Sequence, residues 1–328
     1  MWIDTELEKH MQEKLHGEFS NKQIGEKYYA QYITAREYLT SNIYPFIAAV
    51  EPQLTDHSDR HIENVLNNIW DLINDDLDRF NGVELYLLCL STLFHDCGNI
   101  NGREGHNKKI SDICNDVIND NSTRLQEKRL VTMIVRAHCG QSRKNSSDTL
   151  MEVDETASLY SREVKVCEIA SIIRFADELA EGPQRTSDYM RSKGKIDQAS
   201  IIYHKYASIT EVFIGKKDGR IALTYNIEIP IQDVDLETLL KFIYKRIVKL
   251  DTERRYCKYY ATSLNKLKTT DVKINILIDG EDVIDLPKIQ MEDKYILSNA
   301  SIEDIIYHLY PELKIESILQ KIGEYDHE

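Results

Sequence analysis

The stretch Leu85–Phe94 constrains the fold more than any other part of the chain, because it is apolar on nearly every face of a helix. It is too short to cross a bilayer, so other elements must cover it on all sides. From the N-terminus to about Leu179, apolar residues recur at three- and four-residue intervals, which predicts that this cover is helical. The strongest predicted helices are Lys22–Asn42, His61–Arg79, Gly82–His95, Asn107–Asp120, Arg124–His138 and Ser161–Ala180. They predict a bundle of about six helices.

The periodicity changes after Pro183. Apolar and polar residues alternate from Ile221 to Ile229, which is typical of a half-buried strand. A partner strand around Ala207–Ile214 and the turn Lys216–Gly219 complete a predicted β-hairpin. The elements predicted after the hairpin are a long helix capped by Asp235, a strand Lys273–Ile278 and a terminal helix opened by the capping box Ser301–Asp304.

These two patterns predict a mostly α protein in two parts. Residues 1–190 would form a helical domain that carries the chemistry, and residues 191–328 a smaller α+β accessory region. The sequence leaves open whether the accessory region is a lid, a specificity element or an oligomerisation element.

The acidic net charge limits the partners that we expect, and the charged N-terminal segment indicates the location. A formal net charge of −14 repels a phosphate backbone, so broad binding to duplex DNA is disfavoured, although a local basic cleft stays open. Charged residues fill Met1–Glu18, where a signal peptide needs an apolar segment, so we expect a cytoplasmic protein with no membrane partner. The six cysteines show no paired metal-ligand spacing, and we interpret them as reduced structural thiols.

The His95-Asp96 pair directly follows the apolar stretch and is the first candidate for chemistry. Burying an imidazole beside a carboxylate costs on the order of several kcal/mol unless a partner compensates, and a divalent cation does this well. Taken alone, such a pair is more often a satisfied core pair than a metal site. The metal interpretation therefore needs further groups of the same kind.

Other apolar helical segments also carry a histidine or a carboxylate. His61 lies in the first turn of a helix whose apolar face includes Ile62 and Val65. Two more apolar runs lead directly to His138 and to Asp177. A buried carboxylate is uncommon without a partner, and histidines and carboxylates on four helices together predict a metal centre.

In their order along the chain, these residues resemble the HD superfamily of metal-dependent phosphohydrolases, whose pattern is a His, a His-Asp pair and a later Asp on a helical bundle. The resemblance covers roughly residues 50–190 and is strongest to the HD-type domains of bacterial conflict systems, some of them fused to chaperone-type ATPases. The metal ligands that it implies are His61, His95, Asp96 and Asp177. His57 stays open as the alternative to His61. The chain departs from the family at Ala180, where a further Asp often stands, so the surroundings of the ligands are expected to differ.

The resemblance also implies a second metal, because many HD enzymes hold one through extra histidines between the pair and the last Asp. His106 and His138 fall in that interval, and Asp96 would bridge the two cations through its two oxygens. A site with a single metal stays open. Such ligands suit Mn, Fe, Co, Ni, Mg or Zn, and the sequence does not choose among them.

The implied activity is hydrolysis of a phosphoester or phosphoanhydride by metal-activated water, with a nucleotide or a cyclic or short oligonucleotide as substrate. The residues expected to take part in catalysis are Asp96, His57, Arg103 and Glu178. Those expected to contact substrate phosphate are Lys108, Lys109 and Arg185. Arg143 and Arg174 are further basic candidates, although exposed basic residues are usually solvated surface.

Two other functions stay open. A metal-dependent single-strand nuclease would need a basic groove, which the net charge does not suggest. A non-catalytic HD module would instead sense a nucleotide in an anti-phage conflict system, or dock a partner without turnover. The protein partners that stay open for either function are a second copy of the chain and a chaperone-type ATPase. The complete ligand set argues against a module that has lost its activity.

Overall fold

The computed structural model describes residues 2–118, 124–140, 142, 147–231, 233–293 and 303–325. Within them the predicted class is confirmed, because a mostly α architecture is joined by a smaller α+β part. The helices are α1 (Glu6–Glu18), α2 (Lys22–Asn42), α3 (Tyr44–Val50), α4 (Asp59–Ile73), α5 (Gly82–Phe94), α6 (Ser111–Val117), α7 (Leu125–Ala137), α8 (Val166–Glu178), α9 (Asp188–Ser192), α10 (Ile201–Ile209), α11 (Leu236–Tyr260) and α12 (Ile315–Tyr325). The strands are β1 (Ala157–Leu159), β2 (Arg162–Val164), β3 (Thr210–Gly215), β4 (Arg220–Glu228), β5 (Thr269–Ile278), β6 (Glu281–Asp282) and β7 (Ile289–Glu292). Ser301 of the predicted capping box lies outside the described residues.

The first compact unit is a helical bundle made of Met1–Ala180 and Cys257–Leu264. Helix α5 is its core, since all 13 of its residues are buried and it packs against α1, α2, α7 and α8. A capping box of Asn81 and Glu84 begins this helix. Each large apolar side chain that leaves water contributes about 1.5–3 kcal/mol, so the end of α5 is firmly placed.

Two helices of the bundle begin later than the sequence pattern predicts. Helix α6 begins at Ser111 and not at Asn107, because His106–Lys108 form a separate 3-10 turn. Helix α8 begins at Val166 and not at Ser161, because the residues before it form strand β2, which pairs with β1. Helices α1 and α3 are absent from the six strongest predicted helices.

The second compact unit, Glu181–Tyr256 with Asn265–Glu328, contains a five-stranded mixed sheet. Strands β3, β4 and β5 lie in that order, while β6 and β7 both pair with the other edge of β5. The β4–β5 pair is parallel and the other pairs are antiparallel. The buried residues of β4 alternate with half-buried ones, as the sequence pattern predicts.

The predicted hairpin corresponds to β3 and β4, and Gly219 in its turn has a φ of +70°, which favours glycine. The predicted start of its first strand was wrong, because Ala207–Ile209 form the last turn of α10. The hydroxyl of Thr210 donates to the carbonyl of Tyr206 at 2.6 Å, and the strand begins there. Strand β5 begins at Thr269, earlier than predicted, because its first residues pair with both β4 and β7.

Helix α11 is the predicted long helix, and the carboxylate of Asp235 caps it by accepting the backbone N–H of Thr238 at 2.8 Å. Its last residues, Cys257–Tyr260, belong to the first unit. Within that unit the backbone N–H of Ser263 donates to Glu168 Oε1 at 2.9 Å. A truncation before Asp235 would therefore also remove part of the bundle.

Two broader expectations concern the whole chain. Among the described helices, none combines the length and the apolar character that a membrane span requires. The sequence-based domain boundary at residues 190 and 191 stays a prediction, since a compact unit of a folded chain need not fold alone.

Candidate metal centre

The ends of four helices supply four of the candidate ligands. His95 follows the last residue of α5, His138 follows the last residue of α7, and Asp177 lies in the last turn of α8. The C-terminus of a helix carries partial negative charge, so three such ends favour a cation. His61 comes from the first turn of α4 instead.

The start of α4 is fixed by local hydrogen bonds that position His61. Ser58 is the N-cap, and its hydroxyl accepts the backbone N–H of Arg60 at 3.2 Å. The carboxylate of Asp56 in turn accepts the backbone N–H of Ser58 at 3.0 Å. The Asn68 side chain of the same helix donates to the Ala176 carbonyl at 3.0 Å, which ties α4 to α8 beside Asp177.

Asp96 is only 3% exposed, and its Oδ2 atom faces the first group of candidate ligands. Oδ2 lies 3.4 Å from His61 Nε2 and 3.3 Å from His95 Nε2. Asp177 Oδ1 completes the group at 3.2 Å from His61 Nε2. The ligand atoms of these four residues all lie within 4.8 Å of one another, and the group could hold a metal ion.

The second oxygen of the same carboxylate, Asp96 Oδ1, faces a second group. It lies 3.1 Å from His106 Nε2 and 3.8 Å from His138 Nε2. Cys139 joins the two histidines in a second set of donor atoms within 4.8 Å of one another. Asp96 therefore separates two groups, each of which could hold a cation.

Hydrogen bonds determine which nitrogen of several rings faces the centre. The Nδ1 atoms of His95, His106 and His138 lie 2.8, 3.1 and 2.6 Å from the backbone carbonyls of Thr92, Arg103 and Val135. A carbonyl only accepts, so each Nδ1 must carry a proton, and each Nε2 of a neutral ring presents a lone pair to the centre. This is the orientation that metal-ligating histidines adopt.

Two pairs of Nε2 atoms face each other, and lone pairs that face each other repel unless a positive charge lies between them. His106 Nε2 and His138 Nε2 are 3.4 Å apart, and both present lone pairs when the rings are neutral. His61 Nε2 and His95 Nε2 are 3.3 Å apart. Two nitrogens that are each about 2.1 Å from a tetrahedral cation lie roughly 3.4 Å apart, so both pairs fit a metal.

The electrostatics of the centre agree with this description. Burial alone would raise the pKa of Asp96, but the neighbouring His95 and His57 rings hold it well below its ordinary value. Burial alone would lower the pKa of His95, but the charges of Asp96 and Asp177 hold it well above its ordinary value. In His138, burial and the His95 charge lower the pKa. In the metal-free protein, protons on the imidazoles therefore supply part of the charge that a cation would bring.

Of the two candidate first ligands, the structure places His61 in the first group. The Nε2 atom of His57 lies 3.7 Å from Asp96 Oδ2, and His57 is not part of that group. The Nδ1 atom of His57 lies 2.5 Å from the carbonyl of Thr55, so this ring also turns Nε2 towards Asp96. His57 is therefore a neighbour of the group.

Arg103 is the predicted basic residue that the structure brings to the centre. Its Nη1 atom lies 3.8 Å from Asp96 Oδ1 and donates to Asn99 Oδ1 at 3.2 Å. Its backbone N–H donates to Glu51 Oε1 at 2.6 Å. The Arg103 side chain is 48% exposed, so it links the buried carboxylate to solvent.

The other basic candidates that lie in the described part of the bundle direct their side chains to other groups or to solvent. Lys109 directs its ammonium to the backbone carbonyls of Asn101 and Gly102, and Lys108 is exposed. Arg174 is buried and donates to Thr149 Oγ1 at 2.7 Å and to the Ala137 carbonyl at 3.3 Å, at the end of α7. Arg185 lies in the second unit, 3.8 Å from Glu181, and Arg143 lies outside the described residues. The acidic candidate Glu178 is half-buried at the end of α8.

The sequence did not identify Cys139 as a candidate ligand or Asn107 as a residue that positions a ligand. Cys139 follows His138 directly, and this adjacency was the only available signal. The Asn107 amide donates to the carbonyls of Arg136 and Cys139 at 2.9 and 3.0 Å. It therefore positions the turn that carries His138, a role that no motif marks.

Comparison with known proteins agrees with the resemblance inferred from these residues. The sequence model of the HD-CE family matches residues 51–249, which include every candidate ligand described above. No curated protein matches the chain significantly. The matched segment is more than half of the chain, and its two groups of histidines and carboxylates could hold metal ions. The chain therefore belongs to the HD-CE family.

Proposed function

We propose that the chain is a metal-dependent phosphohydrolase or phosphodiesterase that acts on a nucleotide or on a cyclic or short oligonucleotide. The observation that supports this most is the buried Asp96, whose two oxygens face different sets of histidine Nε2 atoms. Two cations on opposite sides of one carboxylate are a common arrangement in enzymes that hydrolyse phosphoesters.

Two groups of side chains would hold the cations. The first consists of His61, His95, Asp96 and Asp177, and the second of His106 and His138 with the other oxygen of Asp96. A divalent cation held by these residues would lower the pKa of a water molecule and polarise the phosphoryl group of the substrate.

Arg103 would bind the substrate. Its half-exposed guanidinium carries donors in a planar fork that matches phosphate oxygens, and Nη1 already lies near Asp96 Oδ1. Asn99 and Glu51 fix the side chain and the backbone of Arg103. A phosphate bound by this guanidinium would lie at the solvent-facing side of the centre.

His57 would accept the proton of the attacking water. Its Nδ1 proton is held by the Thr55 carbonyl, so Nε2 is the atom that can take up a second proton. In the reaction, the water oxygen forms a bond to phosphorus, and the bond from phosphorus to the leaving oxygen breaks. Nε2 of His57 takes one water proton, and solvent returns a proton to the leaving oxygen.

Small phosphorylated substrates fit the charge of the protein better than long nucleic acids. The net charge of −14 disfavours a long polyanion, whereas a nucleotide or a short oligonucleotide needs only a local cationic site. The cations and Arg103 would supply that site. A small-substrate phosphohydrolase therefore fits the protein better than a single-strand nuclease does.

A hydrolysis screen tests the proposal. Protein loaded in turn with Mn²⁺, Co²⁺, Zn²⁺ and Mg²⁺ is incubated with nucleoside triphosphates, cyclic nucleotides and short linear oligonucleotides. For the substrate that is turned over, Arg103→Gln should lower kcat/KM roughly tenfold to a hundredfold, because a charge-assisted hydrogen bond is lost. Metal content should stay at the wild-type level.

Arg129→Gln is the matched control, because Arg129 is 53% exposed and pairs with the exposed Asp154. This variant should keep wild-type kcat/KM. Tight nucleotide binding without turnover under every metal would contradict the hydrolase and support the sensing module. Equal losses in both variants would remove Arg103 from substrate binding.

A further inference from the structure

The second group of donor atoms contains a sulfur as well as two nitrogens. Cys139 Sγ lies 3.6 Å from His106 Nε2, and that nitrogen lies 3.4 Å from His138 Nε2. His106 and His138 are buried, while Cys139 is partly exposed. All three donor atoms lie within 4.8 Å of one another.

The backbone around Cys139 is fixed by the segment that carries His106. Asn107 follows His106, and its amide donates to the carbonyl of Cys139 at 3.0 Å and to that of Arg136 at 2.9 Å. Gly140 then takes a φ of +85°, and a Cβ built there would lie 3.3 Å from the Asn107 amide nitrogen. One side chain thus joins both segments, so Sγ is held beside the two imidazoles by the fold.

The contact pattern differs from that of a core thiol. The cysteines of the chain other than Cys139 are all buried, and burial raises the pKa of Cys167 to about 11 and that of Cys114 to about 12. Cys167 directs its thiol to the Leu150 carbonyl, whereas Cys139 directs its sulfur to an imidazole nitrogen that also faces His138.

We propose that Cys139 is a ligand of the second cation, which is held by one thiolate, the imidazoles of His106 and His138, and Asp96 Oδ1. This proposal rests on the metal binding within the proposed function but not on catalysis. Thiolate is a softer ligand than carboxylate, so the second group should select a cation such as Zn²⁺ or Co²⁺ over Mg²⁺. The first group, with two imidazoles and two carboxylates, has no such sulfur.

Cobalt binding gives a readout that does not depend on activity. Metal-free protein is titrated with Co²⁺, and the charge-transfer absorption of a sulfur–cobalt bond is followed together with the visible bands of any bound Co²⁺. The charge-transfer band should appear in the wild-type protein, vanish in Cys139→Ser and persist in Cys167→Ser. His106→Ala should also remove it, because the second cation loses an imidazole.

Three results would overturn the proposal in different ways. Bound Co²⁺ without a charge-transfer band in the wild type would exclude Cys139 as a ligand and leave the proposed function standing. A band that persists in Cys139→Ser would assign the sulfur to another cysteine. The absence of any bound Co²⁺ would remove the proposed function as well.

Thiol alkylation of the wild-type protein tests the same contact without a substitution. Zn²⁺ should slow the alkylation of Cys139, identified by peptide mass, by tenfold or more at saturating metal, because a coordinated sulfur is no longer a free nucleophile. The rate for partly exposed Cys139 should recover when a chelator is added. Equal rates with and without Zn²⁺, in protein shown to contain the metal, would contradict the proposal even if Cys139→Ser fails to fold.

Discussion

Two clusters of buried charge, one in each compact unit, differ in how completely their polar atoms are paired. In the second unit Arg254 is fully buried, and its nitrogens donate to five groups: Asp251, Thr270, Asp293 and the carbonyls of Leu267 and Met291. In the bundle, by contrast, the Nε2 atoms of His106 and His138 face each other and Asp96.

The difference separates a structural network from a candidate functional site. The guanidinium of Arg254 has an acceptor for each nitrogen, and Asp251 Oδ2 lies 2.9 Å from Arg255 Nη2, so the charges of this cluster are paired within the chain. The histidine cluster combines lone pairs with carboxylates, and it becomes complete only when protons or cations are added. Burial alone would not have distinguished the two, since both lie in the interior.

The largest expected effect is the loss of metal on removing the carboxylate shared by both groups. Asp96→Asn should bind almost no divalent metal, because both cations lose the negative charge of the carboxylate that they share. Elemental analysis of the purified variant measures this. Asp251→Asn is the matched control, since it removes the corresponding charge from the complete cluster, and it should retain the wild-type amount of metal per folded molecule. Equal metal in wild type and Asp96→Asn would refute the ligand assignment.

The same control variant should instead lose stability. Asp251 accepts from Arg254 Nη2 at 2.7 Å and from Thr270 Oγ1 at 2.9 Å, and both partners are buried. Asp251→Asn would leave the buried guanidinium with only the partly exposed Asp293 as its anion, which should lower the free energy of unfolding by about 3–5 kcal/mol. Chemical denaturation followed by circular dichroism measures the change. A loss below about 1 kcal/mol would mean that the network contributes no more than a surface pair.

A smaller effect should distinguish His61, a member of the first group, from its neighbour His57. His61→Ala should weaken metal binding at least roughly tenfold, and His57→Ala by less, because only His61 Nε2 lies near both Asp96 Oδ2 and Asp177 Oδ1. Competition with a chelator gives both affinities. The opposite order would exchange the roles of the two residues.

The affinity of the first group should also depend on pH. The charges of Asp96 and Asp177 overcome burial and hold the pKa of His95 well above its ordinary value in the metal-free protein. A protonated Nε2 does not bind metal, so affinity should fall as the pH drops through this raised pKa, earlier than for an ordinary histidine. Chelator competition across the neutral range, corrected for protonation of the chelator, measures the slope. A flat profile from weakly basic to weakly acidic pH would show that no proton competes at the centre.

Much of the bundle could be predicted from the sequence because helical periodicity and burial follow from local order. Helix α2 has the predicted bounds, and the residues predicted as ligands, including His61 and Asp177, come together. The predictions failed where partners distant in sequence decide the structure. Strand β2 replaces the predicted start of α8, because pairing with β1 overrides helical propensity there.

The surroundings of the centre were harder to predict than its ligands. Asn107 acts through backbone carbonyls around residue 138, and Arg174 bonds the end of α7 although its charge suggested a phosphate contact. Such roles depend on three-dimensional contacts, which produce no characteristic residue spacing in the sequence. The proximity of Cys139 to His106 could not be predicted for the same reason, because the two residues are distant in sequence.

The metal content of the wild-type protein, purified without chelator and then saturated with Zn²⁺ or Mn²⁺, tests the central claim most directly. The histidine cluster should hold one or two divalent cations per chain, removed by chelator and regained on adding metal, because its lone pairs and carboxylates converge around Asp96. A correctly folded protein that contains no metal and binds none on titration would contradict the claim, and would show that protons alone complete this cluster.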